Sequence, residues 1–433
     1  MSRTQIWASG LLIWLLAFVL DFGYFAVDSK LETPDSRSYL VAAEHMVEGL
    51  GFTNEALEPE TRRTPVYPVF IAIFLDMGLT PEALVVVQHL VRSLIAAGLF
   101  LLTLHLVGEP LIALGAGVVF ALDFSSVVLA NRVMSETLFT AALLFLFWMA
   151  VTLVRAPTHR WLLAFLVGLF GGFTVLIRPI SLFFFVPLGL FLLLTLGKRA
   201  ALPLVMMCSA FPIYPTAWAV HNRNATGVAT VSSISADNLL RYRAAGVLAL
   251  ETPGDFTSNL HEYQERLTKR AQEEGRRKYG DAFDALPHAV RAEVYTRVAM
   301  ETLLEHPLSL VPLTARGVVT ALLGGGAAAL AEVTGLSQAA ARRLVLVYTL
   351  PCLVFALLGI GDLFRRRRDL CYLIFFFLAY FVGISAGAEA YSRFRVPVMP
   401  MYAMAVAAGL YSAWNRFMVR HEHRAGNVPA ATS

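Results

Sequence analysis

Apolar runs long enough to cross a bilayer recur along this chain and constrain its fold more than any other feature. They cover residues 6–27, 84–107, 111–130, 133–154, 161–177, 180–196, 202–220, 344–360, 370–384 and 396–414. At about 1.5 Å of rise per residue, a run of about 20 residues matches a hydrocarbon core about 30 Å thick. Lipid offers no partner to backbone N–H and C=O groups, so each run is expected to be helical. The fold class expected is an all-α polytopic membrane protein, a bundle of about 10–12 transmembrane helices with amphipathic helices at one face. Composition agrees: 57% of residues are hydrophobic and only 15% are charged, against about 25% charged in soluble proteins. That shortage speaks against a water-soluble enzyme. The net charge of +4, from 35 Lys and Arg against 31 Asp and Glu, gives no basic surface for nucleic acid, so the expected partners are membrane lipids or lipid-borne substrates. Cys208, Cys352 and Cys371 lie in or beside apolar runs without paired spacing, which points to buried thiols rather than a disulfide or zinc framework. The run 6–27 has no small-residue cleavage site and is expected to be a retained helix.

The basic breaks orient the bundle. Arg3, Arg155 with Arg160, Lys198 with Arg199, residues 365–368 and the tail with Arg416, Arg420 and Arg424 share one side if each run crosses once, and that side is expected to be cytoplasmic. The opposite face receives residues 28–81, Asn131 with Arg132, residues 221–343 and the link carrying Glu389, Arg393 and Arg395. Two apolar segments fit spans poorly. Residues 65–79 are short and contain Pro68, which suits a helix lying at the surface. Residues 308–333 are interrupted by Arg316 and by Gly324, Gly325 and Gly326, which suits an interfacial helix followed by a re-entrant or paired segment. The domain expectation is a single membrane-embedded unit over 1–433, with a first outer loop at 28–81 and a small helical cap at 221–306. In the cap, Phe256, Leu260, Tyr263, Leu267 and Ala271, and then Val290, Val294 and Val298, recur at helical spacing.

Polar groups collect toward that outer face. Asp35 opens a helical pattern and reads either as an N-terminal cap or as a general base at the head of a rigid helix. Arg62 and Arg63 suit lipid headgroups or a phosphate, which a guanidinium fork binds with two parallel bonds. Arg92, with Gln88 and His89 before it, lies inside a span and needs either an ion-pair partner or a wet cavity. Glu136 stands four residues after Arg132, a spacing that permits a local pair, and it also falls at the outer end of a span. Arg178, Glu389, Tyr391, Arg393 and Arg395 mark further outer helix ends. Arg92, Arg132, Arg178, Arg393 and Arg395 all break the sidedness rule, and their repetition favours an anion held just outside the hydrocarbon; the plainer reading is individual snorkelling.

Asp35 with Tyr39 and Leu40, Arg63-x-Pro65-x-Tyr67-Pro68, Ser135-Glu136-Thr137-Leu138-Phe139, Arg178-Pro179 and Glu389-x-x-x-Arg393-Phe394-Arg395-x-Pro397 together resemble the bacterial integral-membrane glycosyltransferases of the GT-C superfamily, in the branch of protein O-mannosyltransferases and lipid A aminoarabinose transferases. The resemblance covers residues 1–414. It implies transfer of a hexosyl or pentosyl group from a polyprenyl-phosphate donor, typically undecaprenyl phosphate, to a lipid, glycan or protein acceptor at the periplasmic face of the bacterial inner membrane. It assigns catalysis to Asp35 and a second acidic position to Glu136. Arg63, Arg92, Arg178, Arg393 and Arg395 become candidates for the donor phosphate, and Tyr39, Tyr67, Gln88, His221 and Glu389 further pocket residues. Two departures stand out: Ser36 and Arg37 follow Asp35 in place of a second carboxylate, and His221-Asn222 stands where an Arg-Asn pair is common. No cofactor is assigned, and a divalent metal stays open because two separated acids do not define a coordination sphere. The chemistry implied is a single displacement with inversion. A ligase using undecaprenyl-diphosphate-linked glycans and a lipid or solute transporter are the alternatives.

Overall fold

In the computed structural model, residues 1–424 are described; residues 425–433 of the expected domain, and the side chains of Arg420 and Arg424, lie outside them. The chain is all-α, and among the described residues the only β pairing is one isolated bridge between Thr53 and Pro59. The first helices in order are α1 (Arg3–Val27), α2 (Pro34–Val47), α3 (Val66–Asp76), α4 (Pro81–Val107), α5 (Pro110–Ala121), α6 (Phe124–Ala130), α7 (Glu136–Arg155) and α8 (Arg160–Ile177). There follow α9 (Phe185–Leu196), α10 (Ala201–Ala210) and α11 (Ile213–Thr226), then the cap helices α12 (Ile234–Asn238), α13 (Ala245–Glu251), α14 (Phe256–Tyr279) and α15 (His288–Glu305). The remaining helices are α16 (Leu310–Leu323), α17 (Ala327–Thr334), α18 (Gln338–Arg366), α19 (Arg368–Ile384) and α20 (Met399–Arg424).

Among the described residues, eight helical stretches are long and apolar enough to cross a membrane, or nine if the bent pair α5 and α6 counts as one. Their outer surfaces carry large exposed apolar side chains, among them Trp7, Leu12, Val19, Leu194, Val347 and Leu357. Such a surface is stable against lipid rather than water. The stretch Pro179–Thr226 qualifies as one unit, yet it turns back at Gly197, whose φ of 56° is in the left-handed region, and Gly189 of α9 then lies against Leu204 of α10. The expected span over 111–130 is not one straight helix: its two helices meet at a 52° bend. Asp123 causes it, because its carboxylate accepts the Ser126 N–H at 2.9 Å and starts α6 as a fresh helix.

Backbone-to-backbone contact sets the bundle's tightest crossings. A Cβ on Gly359 of α18 would collide with the Ala405 carbonyl of α20, and one on Gly409 with the Phe355 carbonyl. Small residues allow this approach where no hydrophobic drive separates helix from lipid. The 65–79 segment forms the short apolar helix α3, packed on α2 through Tyr39, Tyr67 and Ile71. Pro307–Thr334 has the length and apolarity of a span, but its start sits beside the cap, where the Ser309 hydroxyl meets Glu251, and its end is tied to Lys30 by Glu332. Both ends therefore lie at the face that carries Asp35. The cap has its own small core of Leu240, Val247, Leu267, Phe283, Val294 and Val298. At the opposite face, Arg155 pairs with Asp369 at 2.8 Å, and Tyr411 donates to Glu109 at 2.9 Å.

Candidate active site

Helix α2 is started by Thr33, whose hydroxyl accepts the Ser36 N–H while Ser36 returns a bond to the Thr33 N–H. The N-cap reading of Asp35 is thereby corrected. With capping done by Thr33, the Asp35 carboxylate points into a line of alternating charges. Its Oδ1 accepts from Arg63 Nη2 at 2.7 Å and its Oδ2 from Arg393 Nη1 at 2.6 Å. Arg393 donates through Nε to Glu136 Oε1, which also forms an ion pair with Arg178 Nη1 at 2.6 Å. The line runs Arg63, Asp35, Arg393, Glu136, Arg178, with one positive charge more than negative.

Its two acids differ in access. The Glu136 side chain is 0% exposed whereas that of Asp35 is 36% exposed, so Asp35 is the acid that faces solvent. Burial raises the Asp35 pKa, but Arg63 and Arg393 outweigh it and hold the carboxyl well below the usual range. Glu136 Oε2 is buried and has no hydrogen-bond partner within the protein.

Neighbouring groups fix this line. Ser38 Oγ accepts from Arg63 Nε at 2.7 Å, and the guanidinium lies 4.6 Å from the centre of the Tyr39 ring. Tyr39 meets Tyr67 edge to face at 5.0 Å, and the buried Tyr67 hydroxyl donates to Gln88 Oε1 at 2.8 Å. Ser135 Oγ accepts from Arg178 at 3.1 Å, and Tyr391 accepts from Arg393 at 3.3 Å. Asp35, Glu136, Arg63, Arg178 and Arg393 are thus brought together, with Tyr39, Tyr67 and Gln88 behind them.

Other candidates stand elsewhere. Arg92 is buried against Asp21 at 2.7 Å and donates to the Ala121 carbonyl at 2.7 Å, which closes it to a phosphate. Arg395 is likewise buried, paired with Asp123 at 2.9 Å and with the Leu322 carbonyl at 2.6 Å. Arg132 pairs with Asp28 at 2.5 Å rather than with Glu136. His221 is exposed on α11, stacked on Trp218 at 4.6 Å. Glu389 faces Arg243 at 3.9 Å, and burial, which outweighs that arginine, raises its carboxyl above the ordinary range. Sequence reasoning missed Asp21, a charge inside an apolar run that signals a partner by its position alone. A divalent metal fits poorly, because the Arg393 guanidinium separates the two acids and, among the described residues, no group of three or more His, Cys, Asp or Glu comes together.

This all-α membrane bundle shares its fold with solved archaeal oligosaccharyltransferases. Among solved structures, the Archaeoglobus fulgidus oligosaccharyltransferase tethered to an acceptor peptide containing the NVT sequon superposes with a TM-score of 0.54 at 13% identity, over 97% of this chain and 51% of that one. AglB of the same organism, in complex with an inhibitory peptide and a dolichol-phosphate, superposes with a TM-score of 0.51 at 13% identity, over 100% of this chain and 53% of that one. ArnT from Cupriavidus metallidurans, bound to undecaprenyl phosphate, aligns more loosely, with a TM-score of 0.41 at 12% identity over 92% of this chain and 76% of that one. This chain spans about half the length of the oligosaccharyltransferase chains it matches. No family model and no curated protein matches it.

Proposed function

We propose that this protein transfers a sugar from a polyprenyl-phosphate donor to an acceptor hydroxyl or amine, with inversion, at the face carrying Asp35. The observation that carries the reading is the excess of guanidinium over carboxylate in the line Arg63, Asp35, Arg393, Glu136, Arg178. A phosphate anion supplies the missing negative charge, and guanidinium forks match its oxygens. That an oligosaccharyltransferase of the same fold is solved with a dolichol-phosphate supports this choice.

Without donor, Asp35 is clamped by two arginines and is too weak a base. A donor phosphate competes for Arg63 and Arg393, and each bond it takes frees a carboxylate oxygen and restores basicity. The acceptor then attacks the anomeric carbon, its proton passes to Asp35, and the bond to the phosphate oxygen breaks. Charge growing on the departing polyprenyl phosphate is met by the same arginines. Periplasmic orientation, a bacterial inner-membrane location and undecaprenyl as the carrier belong to this proposal.

The test is the full chain in lipid nanodiscs, challenged with radiolabelled sugars on polyprenyl monophosphate and diphosphate. We expect turnover of a monophosphate-linked sugar, with donor affinity weakened at least about 30-fold in Arg393→Ala and less in Arg393→Lys. Turnover of diphosphate-linked donors alone would overturn the assignment in favour of a ligase.

A further inference from the structure

A buried polar network joins the cap to the loop that aims Arg63. Thr61 exchanges two bonds with Ser233, its carbonyl accepting the Ser233 N–H at 2.8 Å and the two hydroxyls meeting at 3.0 Å. The Ser232 hydroxyl donates to the Arg62 carbonyl at 2.6 Å. Behind them stands His288, the first residue of α15, with Nδ1 2.7 Å from Ser233 Oγ and Nε2 2.9 Å from Asp237 Oδ2. The latter is a close contact rather than an aligned hydrogen bond, since Asp237 Oδ2 lacks a bonded partner by geometry. Arg62 approaches the same carboxylate at 3.8 Å. From the other side, Glu60 Oε1 accepts the backbone N–H groups of Arg62 and Arg63 at 2.5 and 3.1 Å, and Thr64 donates to the Ile177 carbonyl, next to Arg178, at 3.2 Å.

Glu60, Thr61, Ser232, Ser233 and Asp237 are all buried, and buried polar groups are tolerated only when satisfied. The cap does not require them in order to fold, because Leu240, Val247, Phe283, Val294 and Val298 supply its core. Their bonds converge instead on the two residues preceding Arg63.

We propose that His288 is a positioning residue: through Ser233 and Asp237 it holds residues 60–64, and so fixes Arg63 for an anionic phosphate at Asp35. The proposal rests on the function argued above. It makes the cap part of the donor site.

The experiment uses the full chain in nanodiscs with a short-chain polyprenyl phosphate as probe. His288→Ala should weaken binding about tenfold, the size expected for losing one or two buried polar bonds. His288→Gln should recover to within about threefold of wild type, because its side-chain amide can keep the bond to Ser233 while standing beside Asp237. Thr61→Val should show the same loss as His288→Ala, and the double variant no further loss. Arg276→Ala, which breaks an exposed cap pair with Asp284, should bind normally. Wild-type affinity in His288→Ala, or full additivity with Thr61→Val, overturns the proposal. A second readout does not depend on the ligand: amide exchange over residues 61–63 should accelerate in His288→Ala while α18 and α20 stay protected. Unchanged exchange overturns the clamp. If wild type and Arg63→Ala bind the probe alike, the donor reading fails instead, and the exchange result still decides the role of His288.

Discussion

Asp35 occupies the one position in the charge line that is both solvent-facing and doubly paired. In Asp35→Asn the side chain keeps its volume but loses its charge and its proton affinity. Transfer should fall by at least about a hundredfold, the contribution typical of a general base. Polyprenyl-phosphate binding should hold or tighten, because Arg63 and Arg393 no longer have a competing carboxylate. A single-turnover assay beside a binding titration separates the two, and normal transfer would demote Asp35. Because the folded pKa is depressed, the Asp35 pairs stabilise the protein fully above the ordinary carboxylate range and lose that effect as pH falls below it. Arg92 should behave in the opposite way. Arg92→Leu leaves Asp21 buried and unpaired, which typically costs about 3–5 kcal/mol, whereas Arg92→Met with Asp21→Leu should restore thermal stability; neither should alter lipid affinity in the folded fraction. The sequence distinguished acids and arginines as special but not which of them meet. Asp21 is 71 residues from Arg92, and Asp123 is 272 residues from Arg395. Local spacing suggested Arg132 for Glu136, and the fold supplies Arg178 and Arg393 instead.

Among the elements, apolar runs were the legible part, because the bilayer imposes helix on any segment it must hold. Breaks were harder to read. The bend at Asp123 follows from one carboxylate serving two masters, the Ser126 amide and Arg395, and only the second bond reveals why a helix would stop there. The cap helices α14 and α15 were visible in their periodicity, but the His288 network was not, since its members come from three separate loops and helix ends. Helix contact distance was also hidden. Gly359→Ala places a methyl against the Ala405 backbone at the crossing of α18 with α20, and overpacking of this kind typically costs about 1–3 kcal/mol. A lower melting temperature in detergent is expected; Gly361→Ala, where a Cβ meets nothing within 4 Å, should leave it unchanged. Equal melting of both variants would argue against so close a crossing.

The whole molecule has two unlike faces. One gathers Asp35, Arg63, Glu136, Arg178 and Arg393, where each positive group that breaks the sidedness rule has an acid beside it. The other carries Lys198, Arg199 and residues 365–368, largely exposed and suited to anionic lipid headgroups. The uncompensated charge sets orientation, so the second face should be cytoplasmic and the cap outside. Site-directed labelling checks this in intact cells. Cys208 is exposed and would be replaced by Ser first. An impermeant maleimide should then modify Glu262→Cys, an exposed position on α14, and miss Arg365→Cys at the end of α18 until the membrane is opened. The segment Pro307–Thr334 makes the result informative, because a single crossing there would put positions 262 and 365 on the same side. Labelling of both from outside would therefore mean that α16 and α17 cross the bilayer. Labelling of 365 alone would invert the whole bundle and turn Asp35 toward the cytoplasm, away from any acceptor outside the cell.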